Sequence, residues 1–309
     1  MRASSKTMGC SAIVVTHNSG ATIGPCLEAL SGEDCEIVVV DNASQDDTVQ
    51  RVEALVARQG LRLRANDRNF GFATAVNQGA HETSGDILLL LNPDTIAEPG
   101  AVKALLQCME LAQAAAATGA LLQSNGNLAR GFTFRRLPTL ATLLCEAMLV
   151  NQIWPRNPVN RRYRCLDADY SRQQEVEQPA GACLAITRKV WESIGGFDES
   201  FYPVWFEDVD LCKRLVECGS KIVYCPTAHF RHSGAHSVSQ LSLREKQVFW
   251  YRNMLRYARK HFSSGKVRML RAGIVTGMLL RSLAAVFGVR QAPLCETLTA
   301  YWEVVRKVR

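Results

Sequence analysis

Several sequence patterns that would define a function class are missing from this chain of 309 residues. Its 11 cysteines include no CxxC pair and no Cys/His spacing of a zinc site, which excludes the common zinc modules and favours a reducing cytoplasm. No GxGxxG turn follows a candidate strand, so a dinucleotide-binding fold is not indicated. No secretion signal is recognisable in MRASSKTMGCSAIVV, whose apolar run is better interpreted as a first strand. We therefore expect a cytoplasmic protein.

Basic residues are outnumbered by acidic ones in most of the chain but are concentrated near its C-terminus. From Arg244 onward the sequence has 14 of its 36 Lys and Arg residues, and only three of its 29 acidic residues. No DNA- or RNA-binding module accompanies this charge, so we expect no nucleic-acid partner. Hydrophobic residues make up 47% of the chain, which is enough for one large core or a core with an appendage.

Strand-like and helix-like segments alternate in the first half of the chain. We predict strands at 11–15, 36–40, 62–64, 86–91 and 118–122, with helices at 71–81 and 99–116. This alternation predicts βαβ units and a mostly parallel sheet flanked by helices. Because ligands bind beyond the carboxyl ends of such strands, polar residues that follow the strands should meet at one cleft.

Four polar motifs follow predicted strands and supply such a cleft: THNS, DNASQDD, NDRNFGFA and NPD, beginning at Thr16, Asp41, Asn66 and Asn92. Each motif alone is typical of a turn or a helix cap, but four at one edge indicate a site. Asp94 follows an apolar strand, where a carboxylate without partners would lose hydration. Mg²⁺ or Mn²⁺ shared with substrate phosphates would compensate for that loss.

The rest of the chain gives weaker signals. Periodicity is low from 135 to 174, where NPVNRRYRC predicts a basic surface loop or lid, and order returns at 179–215 with a strand, a short helix, a Gly-Gly turn and a final helix. Near the C-terminus one predicted helix has an apolar face and an adjacent arginine stripe, at Val248, Tyr251, Leu255, Ala258 and Phe262, and at Arg252, Arg256 and Arg259. An ordinary surface helix and a helix on an anionic membrane both fit this pattern. The apolar segment 272–289 has Arg281 near its middle, which favours peripheral attachment over a membrane span.

The segments IVVTHNS, VVVDNASQDDT, RNFGFATAVNQG, LLLLNPDT, the 181–215 region with FEDVDL, and HFRHSGAHS occur in the order seen in family-two glycosyltransferases. The chain resembles most the bacterial rhamnosyltransferase branch, over residues 12–257. The resemblance implies an α/β GT-A catalytic domain at residues 1–240, which is Rossmann-like with a mostly parallel central sheet flanked by helices. Residues 241–309 would form a basic helical C-terminal extension that associates with membrane.

The same resemblance implies roles for individual residues. The nucleotide-sugar donor would be held by Thr16, Asn18, Asp41, Asn42, Ser44, Asn69, Gly71, Asn77 and Asn92. Asn92 replaces the first Asp of the family's metal motif, which leaves Asp94 as the main metal carboxylate. Asp208 matches the catalytic base, with Trp205 and Glu207 on the acceptor side. Of the three histidines in HFRHSGAHS we select His232 as a metal contact with Asp94, His229 remaining the alternative to it and His236 being the third.

The function implied is an inverting, metal-dependent transfer of L-rhamnose from dTDP-L-rhamnose to a hydroxyl of a cell-envelope or polyprenyl-linked glycan acceptor. The cofactor would be Mg²⁺ or Mn²⁺. Two alternatives stay open: a UDP-hexose or UDP-N-acetylhexosamine donor with the same mechanism, and a non-catalytic nucleotide-sugar or glycan-binding protein of the same fold. The expected location is the cytoplasm, with the basic tail on the inner face of the cytoplasmic membrane, since an anionic surface attracts lysines and arginines.

Overall fold

A computed structural model gives the fold and describes residues 9–234, 240–290 and 292–308. The strands of the described residues are β1 (Cys10–Thr16), β2 (Glu36–Asp41), β3 (Arg62–Ala65), β4 (Ile87–Leu91), β5 (Thr95–Ala97), β6 (Ala116–Leu122), β7 (Phe134–Arg135), β8 (Gln174–Glu175), β9 (Gln178–Pro179), β10 (Cys183–Thr187) and β11 (Ile222–His232). The helices are α1 (Gly20–Ser31), α2 (Thr48–Gln59), α3 (Phe72–His81), α4 (Ala101–Ala112), α5 (Leu140–Ala147), α6 (Val150–Ile153), α7 (Pro158–Tyr163), α8 (Arg188–Ser193), α9 (Glu207–Glu217), α10 (Leu243–His261), α11 (Ser264–Val286) and α12 (Leu294–Val308).

The central sheet is mixed but mostly parallel, as expected from the sequence. Its strand order is β3-β2-β1-β4-β10-β6-β11-β5, with β8 paired to β11. Strands β1 to β4, β6 and β11 run in one direction, whereas β5, β8 and β10 run opposite. Strands β7 and β9 form a separate antiparallel pair. The parallel strands bring their carboxyl ends to one edge of the sheet, where the polar motifs lie.

Helices cover both faces of the sheet, which explains why its strands are continuous apolar runs. In β1, Ala12 and Val14 pack into the core formed with α1, α2 and α4. Ile13 and Val15 point to the opposite face and pack into the core formed with α3, α8 and α9. All five residues of β4 are buried. Because helices cover both faces of such a strand, a ligand can approach it only at its end.

The predicted strands and the helix at 71–81 are confirmed, but two predictions were wrong. The helix expected at 99–116 ends at Ala112, because Gln113 adopts a left-handed conformation (φ 49°) and Ala116 already begins β6. The basic loop expected around NPVNRRYRC is helical in part. Asn157 caps α7 by accepting a hydrogen bond from the Asn160 backbone N–H at 2.9 Å. The proline at the first helical position is favourable there.

The three C-terminal helices pack onto the sheet domain through a third core. That core joins residues of α10, α11 and α12 with α5 and with Phe201, Phe206 and Val209. The predicted apolar face of α10 is confirmed, since Val248, Tyr251, Leu255 and Ala258 are buried, whereas Phe262 lies just beyond the helix end and is only partly buried. Close packing of α11 on α5 follows from its glycines, because a Cβ at Gly277 would lie 1.9 Å from the Ala147 carbonyl oxygen.

Ion pairs also attach this helical region to the sheet domain. The Asp210 carboxylate, at the start of α9, lies 2.9 Å from the Lys260 Nζ and 2.7 Å from the His261 Nε2. Arg281, which the sequence placed inside an apolar segment, is buried and donates to the Ala147 and Glu146 carbonyls. Within the described residues, α11 is long and apolar enough to cross a membrane by length and composition, but 39% of its most apolar window is buried against the protein.

Candidate functional site

The ends of β1 and β2 form the first part of the site. Thr16 and Asp41 are neighbours in the parallel register, and the Asp41 carboxylate accepts a hydrogen bond from the Thr16 hydroxyl at 2.7 Å. It also accepts the Ser44 backbone N–H at 2.8 Å and the Ser44 hydroxyl at 2.5 Å. The Ser44 hydroxyl in turn accepts the Asn18 backbone N–H at 2.8 Å. The structure therefore brings together four residues that the sequence placed around the donor.

The loop after β3 is joined to the same place. The Asn42 side-chain amide donates to the Gly71 carbonyl at 3.1 Å, and the Asn69 side chain accepts the Gly71 backbone N–H at 2.8 Å. Gly71 has φ 88°, and a Cβ there would lie 2.9 Å from the Tyr202 ring. Only glycine fits this position without strain.

Asn77 has a different set of contacts from the other predicted donor residues. On α3, its amide group donates to the Phe197 carbonyl at 3.0 Å and to a Glu199 carboxylate oxygen at 2.9 Å. Its carbonyl oxygen accepts the Phe197 backbone N–H at 3.0 Å. These contacts position the loop that precedes α9, and a direct contact of Asn77 with donor stays a prediction.

Asp94 and His232 are 138 positions apart in sequence and meet where β11 ends and β5 begins. Thr95 pairs with His232 in the antiparallel β5–β11 register, which sets the His232 Nε2 3.3 Å from the Asp94 Oδ1. Both side chains are buried, with 8% and 5% of their areas exposed. The His232 Nε2 makes no hydrogen bond, and its ring stacks on Phe132 at 5.2 Å. A buried nitrogen that faces a carboxylate without a hydrogen bond is suited to sharing a cation.

The donor set fits a divalent ion that is completed by its substrate. No cluster of three or more His, Cys, Asp or Glu of metal-binding geometry occurs within the described ranges. Asp94 and His232 would supply two ligands to such an ion, and phosphate oxygens and water would fill the others, as is usual for Mg²⁺. Asn92 lies beside them, its backbone N–H donating to the Ala182 carbonyl at 3.1 Å.

The alternative histidine His229 does not join this pair. His229 is exposed on β11, and its Nδ1 lies 3.4 Å from the Glu98 carboxylate. His236 lies outside the described residues. Among the described histidines of this motif, His232 is therefore the one that lies beside Asp94.

Asp208 lies in the first turn of α9. Its carboxylate accepts the Gly181 backbone N–H at 3.1 Å and the Val209 backbone N–H at 2.8 Å. Burial raises the pKa of Asp208, and the positive charge of Arg135 and these backbone donors offset part of the rise. A carboxylate with a raised pKa is a stronger proton acceptor near neutral pH.

Glu207 and Trp205 occupy more enclosed places beside Asp208. Glu207 is 4% exposed, and its Oε2 has no hydrogen-bond partner. Burial, and secondly the charge of Asp208, raise the pKa of Glu207 well above its usual range. Trp205 is partly buried, and its ring meets Trp250 of α10 edge-on at 5.6 Å. An acceptor-side role for Trp205 and Glu207 stays a prediction.

The chain from Gly181 to Ala182 connects the two halves of the site. The Ala182 carbonyl accepts Asn92 of the NPD motif, and the adjacent Gly181 N–H donates to Asp208. Asn92, two residues before Asp94, and Asp208 therefore contact consecutive residues of one backbone segment.

Sequence reasoning missed Arg135, Phe132 and the Gly181 N–H as parts of this site. Arg135 and Phe132 border a stretch with no periodicity. The antiparallel pairing of β7 with β9 brings them next to the sheet edge where the site lies. The motif PAGAC contains Gly181. Its position before a buried strand was the available signal.

Comparison with known proteins gives the same picture. A family model described as glycosyl transferase family 2 matches residues 11–189, and one described as the N-terminal domain of galactosyltransferase matches residues 161–236. N-acetylglucosaminyl-diphospho-decaprenol L-rhamnosyltransferase of Mycobacterium tuberculosis (strain ATCC 25618 / H37Rv) is 30% identical over 278 residues, which cover 79% of this chain and 87% of that protein. Rhamnosyltransferase WbbL of Escherichia coli (strain K12) is 24% identical over 261 residues, which cover 82% of this chain and 94% of that protein.

Solved structures share the fold. GalNAc-T7 with UDP, GalNAc and Mn²⁺ superposes with a TM-score of 0.62 at 15% identity, over 97% of this chain and 55% of that one. S. aureus TarS 1–349 in complex with UDP-GlcNAc has a TM-score of 0.58 at 17% identity, over 98% of this chain and 82% of that one. The resemblance found in the sequence and the GT-A fold are thereby confirmed.

Proposed function

The chain belongs to glycosyl transferase family 2, and from that premise we propose that it moves L-rhamnose from dTDP-L-rhamnose to a hydroxyl of a lipid-linked cell-envelope glycan, with inversion. The observation that carries this proposal is the single sheet edge that holds both Asp94–His232 and Asp208. Support for the sugar and the acceptor class comes from the mycobacterial relative, whose name specifies L-rhamnose and N-acetylglucosaminyl-diphospho-decaprenol.

Asp208 is proposed as the base. It takes the proton of the acceptor hydroxyl as that oxygen forms a bond to the anomeric carbon and the bond from this carbon to the diphosphate breaks. Attack from the face opposite the leaving group inverts the anomer. The raised pKa of Asp208 favours this proton transfer, which is typically worth a 10²- to 10⁴-fold rate gain.

The donor would lie across the ends of β1, β2 and β4. The nucleoside contacts are assigned to Thr16, Asn18, Asp41, Asn42 and Ser44, with Asn69, Gly71, Asn77 and Asn92 around them. Asp41 already receives three hydrogen bonds from Thr16 and Ser44, so the loops after β1 and β2 are held in place before donor binds. Asp94 and His232 would hold a divalent cation, whose charge offsets that of the leaving diphosphate.

The C-terminal helices, which we treat as an extension from residue 241, are proposed to place the enzyme at the inner membrane surface. Arg281 points inward, and the second half of α11 exposes several large apolar residues: Leu279, Leu280, Leu283, Val286 and, just beyond it, Phe287. Such a surface suits the interface with lipid. By contrast, Arg252 and Lys260 on α10 contact Tyr202 and Asp198 of the protein, so that part of the basic stripe has partners within the chain.

A thermal-shift panel of nucleotide sugars with and without Mn²⁺ tests the proposal. Because a ligand that binds only the native state raises its stability, a saturating donor at 100 times its Kd should add about 2.7 kcal/mol. We expect dTDP-L-rhamnose with Mn²⁺ to give the largest shift. A larger shift with a UDP-hexose or UDP-N-acetylhexosamine would replace the donor assignment, and no shift with any nucleotide sugar would contradict the function.

A further inference from the structure

A cavity outside the predicted donor site contains five arginines. It has a volume of about 710 Å³ and lies between α7, the segment after α6, β7 and β8. Its arginines are Arg135, Arg136, Arg156, Arg161 and Arg162, and its acidic residues are Asp167, Glu175 and Glu177. We call this cavity the arginine pocket. Its volume falls within the usual range of small-molecule sites.

The pocket has more positive charge than its own carboxylates neutralise. Arg161 lies 2.7 Å from Asp167, and Arg136 lies 3.5 Å from Glu177. Within the part of the chain that the structure describes, no carboxylate lies within 4.0 Å of a guanidinium nitrogen of Arg135, Arg156 or Arg162. Three guanidinium groups thus face one cavity without an acidic partner, an arrangement that suits a ligand with more than one negative charge.

A fourth guanidinium behind the pocket strengthens this imbalance. Arg164 is largely buried on the segment after α7, where its Nε donates to the Asn160 side chain at 3.2 Å. Burial, and secondly the like charge of Arg135, lower the pKa of Arg164. Two arginines that repel each other leave a field that a bound anion would relieve.

The wall of the pocket leads directly to the base. Arg135 pairs with Gln178 in the β7–β9 register, and three residues later Gly181 donates to the Asp208 carboxylate. Three residues span at most about 10 Å, which places the pocket within a short distance of the reacting hydroxyl. The charge of Arg135 also acts on Asp208 directly.

The rim of the pocket is apolar and exposed. Trp154 lines it and is 58% exposed, and the adjacent Ile153 is 83% exposed. A tryptophan beside arginines at an open rim is typical of a site where one end of a ligand is charged and the other is apolar. A diphosphate that carries a sugar on one side and an isoprenoid chain on the other has that character.

We propose that the arginine pocket binds the diphosphate of a polyprenyl-diphospho-sugar acceptor, so that the sugar extends to Asp208 and the lipid leaves past Trp154. The proposal rests on the proposed function in that it assigns the acceptor side of the same site. It assigns a role to residues that belong neither to the family motifs nor to the predicted donor contacts. Arg135 would lie closest to the sugar, and Arg156 and Arg162 would lie nearer the lipid.

The test measures binding of farnesyl diphosphate, a short isoprenyl diphosphate, to the full chain by calorimetry. Arg156→Gln and Arg162→Gln should each weaken binding about 10-fold, the loss of one charge-assisted hydrogen bond. Arg58→Gln removes an exposed charge from α2, at the far edge of the sheet, and should leave binding unchanged. Farnesyl monophosphate should bind more weakly than the diphosphate, and saturating dTDP should not displace either of them.

Three results would overturn the proposal. The first is unchanged affinity in both folded pocket variants, and the second is displacement of farnesyl diphosphate by dTDP. The third is that the variants lose binding to phosphatidylglycerol vesicles to the same extent as binding to farnesyl diphosphate, which would indicate a site for a lipid headgroup instead. Arg156 is exposed, so its variant keeps the test open if Arg162→Gln does not fold. Failure of the proposed function is distinguishable, because it would show as no donor-induced thermal shift while farnesyl diphosphate binding persists.

Discussion

The buried carboxyl group of Glu207 should make folding stability fall as pH rises through the slightly acidic range. Burial raises the pKa of Glu207 well above its usual range, and no hydrogen bond compensates its Oε2. The native protein therefore keeps a proton that the unfolded chain, with a glutamate pKa near 4.3, has released. Because the native state binds more protons than the unfolded state, the free energy of unfolding decreases with increasing pH in this window.

The magnitude follows from proton linkage. One proton retained only by the native state lowers stability by about 1.4 kcal/mol per pH unit, from just above pH 4.3 until the raised native pKa is passed. Glu207→Gln removes this proton and keeps the shape of the side chain. Between pH 5 and pH 7 the free energy of unfolding should fall by up to about 2.7 kcal/mol less in the variant than in the parent. A native pKa below pH 7 would reduce the difference accordingly.

Urea titrations at pH 5, 6 and 7, followed by tryptophan fluorescence, measure this difference. Two other groups with shifted pKa values, Asp198 and Cys26, change protonation outside this window. Burial acts to raise the pKa of Asp198, but hydrogen bonds from Lys260 and Ser200 lower it to about 2, so its stabilisation is lost only as pH falls below about 4. Burial raises the pKa of the Cys26 thiol to about 12, so its effect begins only above about pH 8.

The control is Glu53→Gln, which changes an exposed glutamate on α2. It should keep the pH slope of the parent. A Glu207→Gln variant with the same slope as the parent and the control would refute the reasoning, since Glu207 would then be ionised in the native state at every pH tested.

The other predictions concern metal, packing and membrane. Asp94→Asn should abolish the extra thermal shift that Mn²⁺ gives to a bound nucleotide, as EDTA should in the parent; an undiminished shift would remove Asp94 from the cation site. Gly277→Ala should lower the free energy of unfolding by at least 1–3 kcal/mol, since its Cβ would meet backbone at 1.9 Å, whereas Gly265→Ala, with open space around it, should not destabilise; equal effects would contradict the α5–α11 contact. Leu283→Ser with Phe287→Ser should reduce partition onto phosphatidylglycerol vesicles several-fold at unchanged melting temperature, and unchanged partition would exclude this face of α11.

The parallel half of the fold was accessible from sequence because each βαβ unit carries its own signals. The runs that became β1, β2 and β4 are apolar and short, and each is followed by residues typical of turns. Since parallel strands end at one edge, the meeting of Thr16 with Asp41 followed from topology alone. This rule of parallel-sheet topology predicts where polar residues lie but not which of them contact each other.

The antiparallel insertions were not accessible in the same way. Strand β10 is a buried apolar run, and nothing in its periodicity distinguishes a parallel from an antiparallel neighbour. The pairing of β5 with β11, which brings His232 to Asp94, joins segments far apart in sequence. That contact was predicted through the motif resemblance, and physical reasoning on the sequence alone would not have chosen His232 over His229.

The region around the arginine pocket was the least predictable. Between β7 and β8 the chain is held by individual contacts, such as the Asn157 cap and the Arg161–Asp167 ion pair, rather than by a periodic apolar face. Glu207 was similarly misleading. A glutamate in the first turn of a helix normally complements the helix dipole at the surface, whereas Glu207 is buried.

The central claim is that Asp208 deprotonates the acceptor while the nucleoside diphosphate leaves near Asp94. Its most direct test is the rate of L-rhamnose transfer from dTDP-L-rhamnose to a short isoprenyl-diphospho-N-acetylglucosamine by Asp208→Asn, measured with the donor affinity of the same sample. We predict that the rate falls 10²- to 10⁴-fold while the donor Kd stays within two- to threefold of the parent. A variant that binds donor normally and transfers at a near-parental rate would contradict the account.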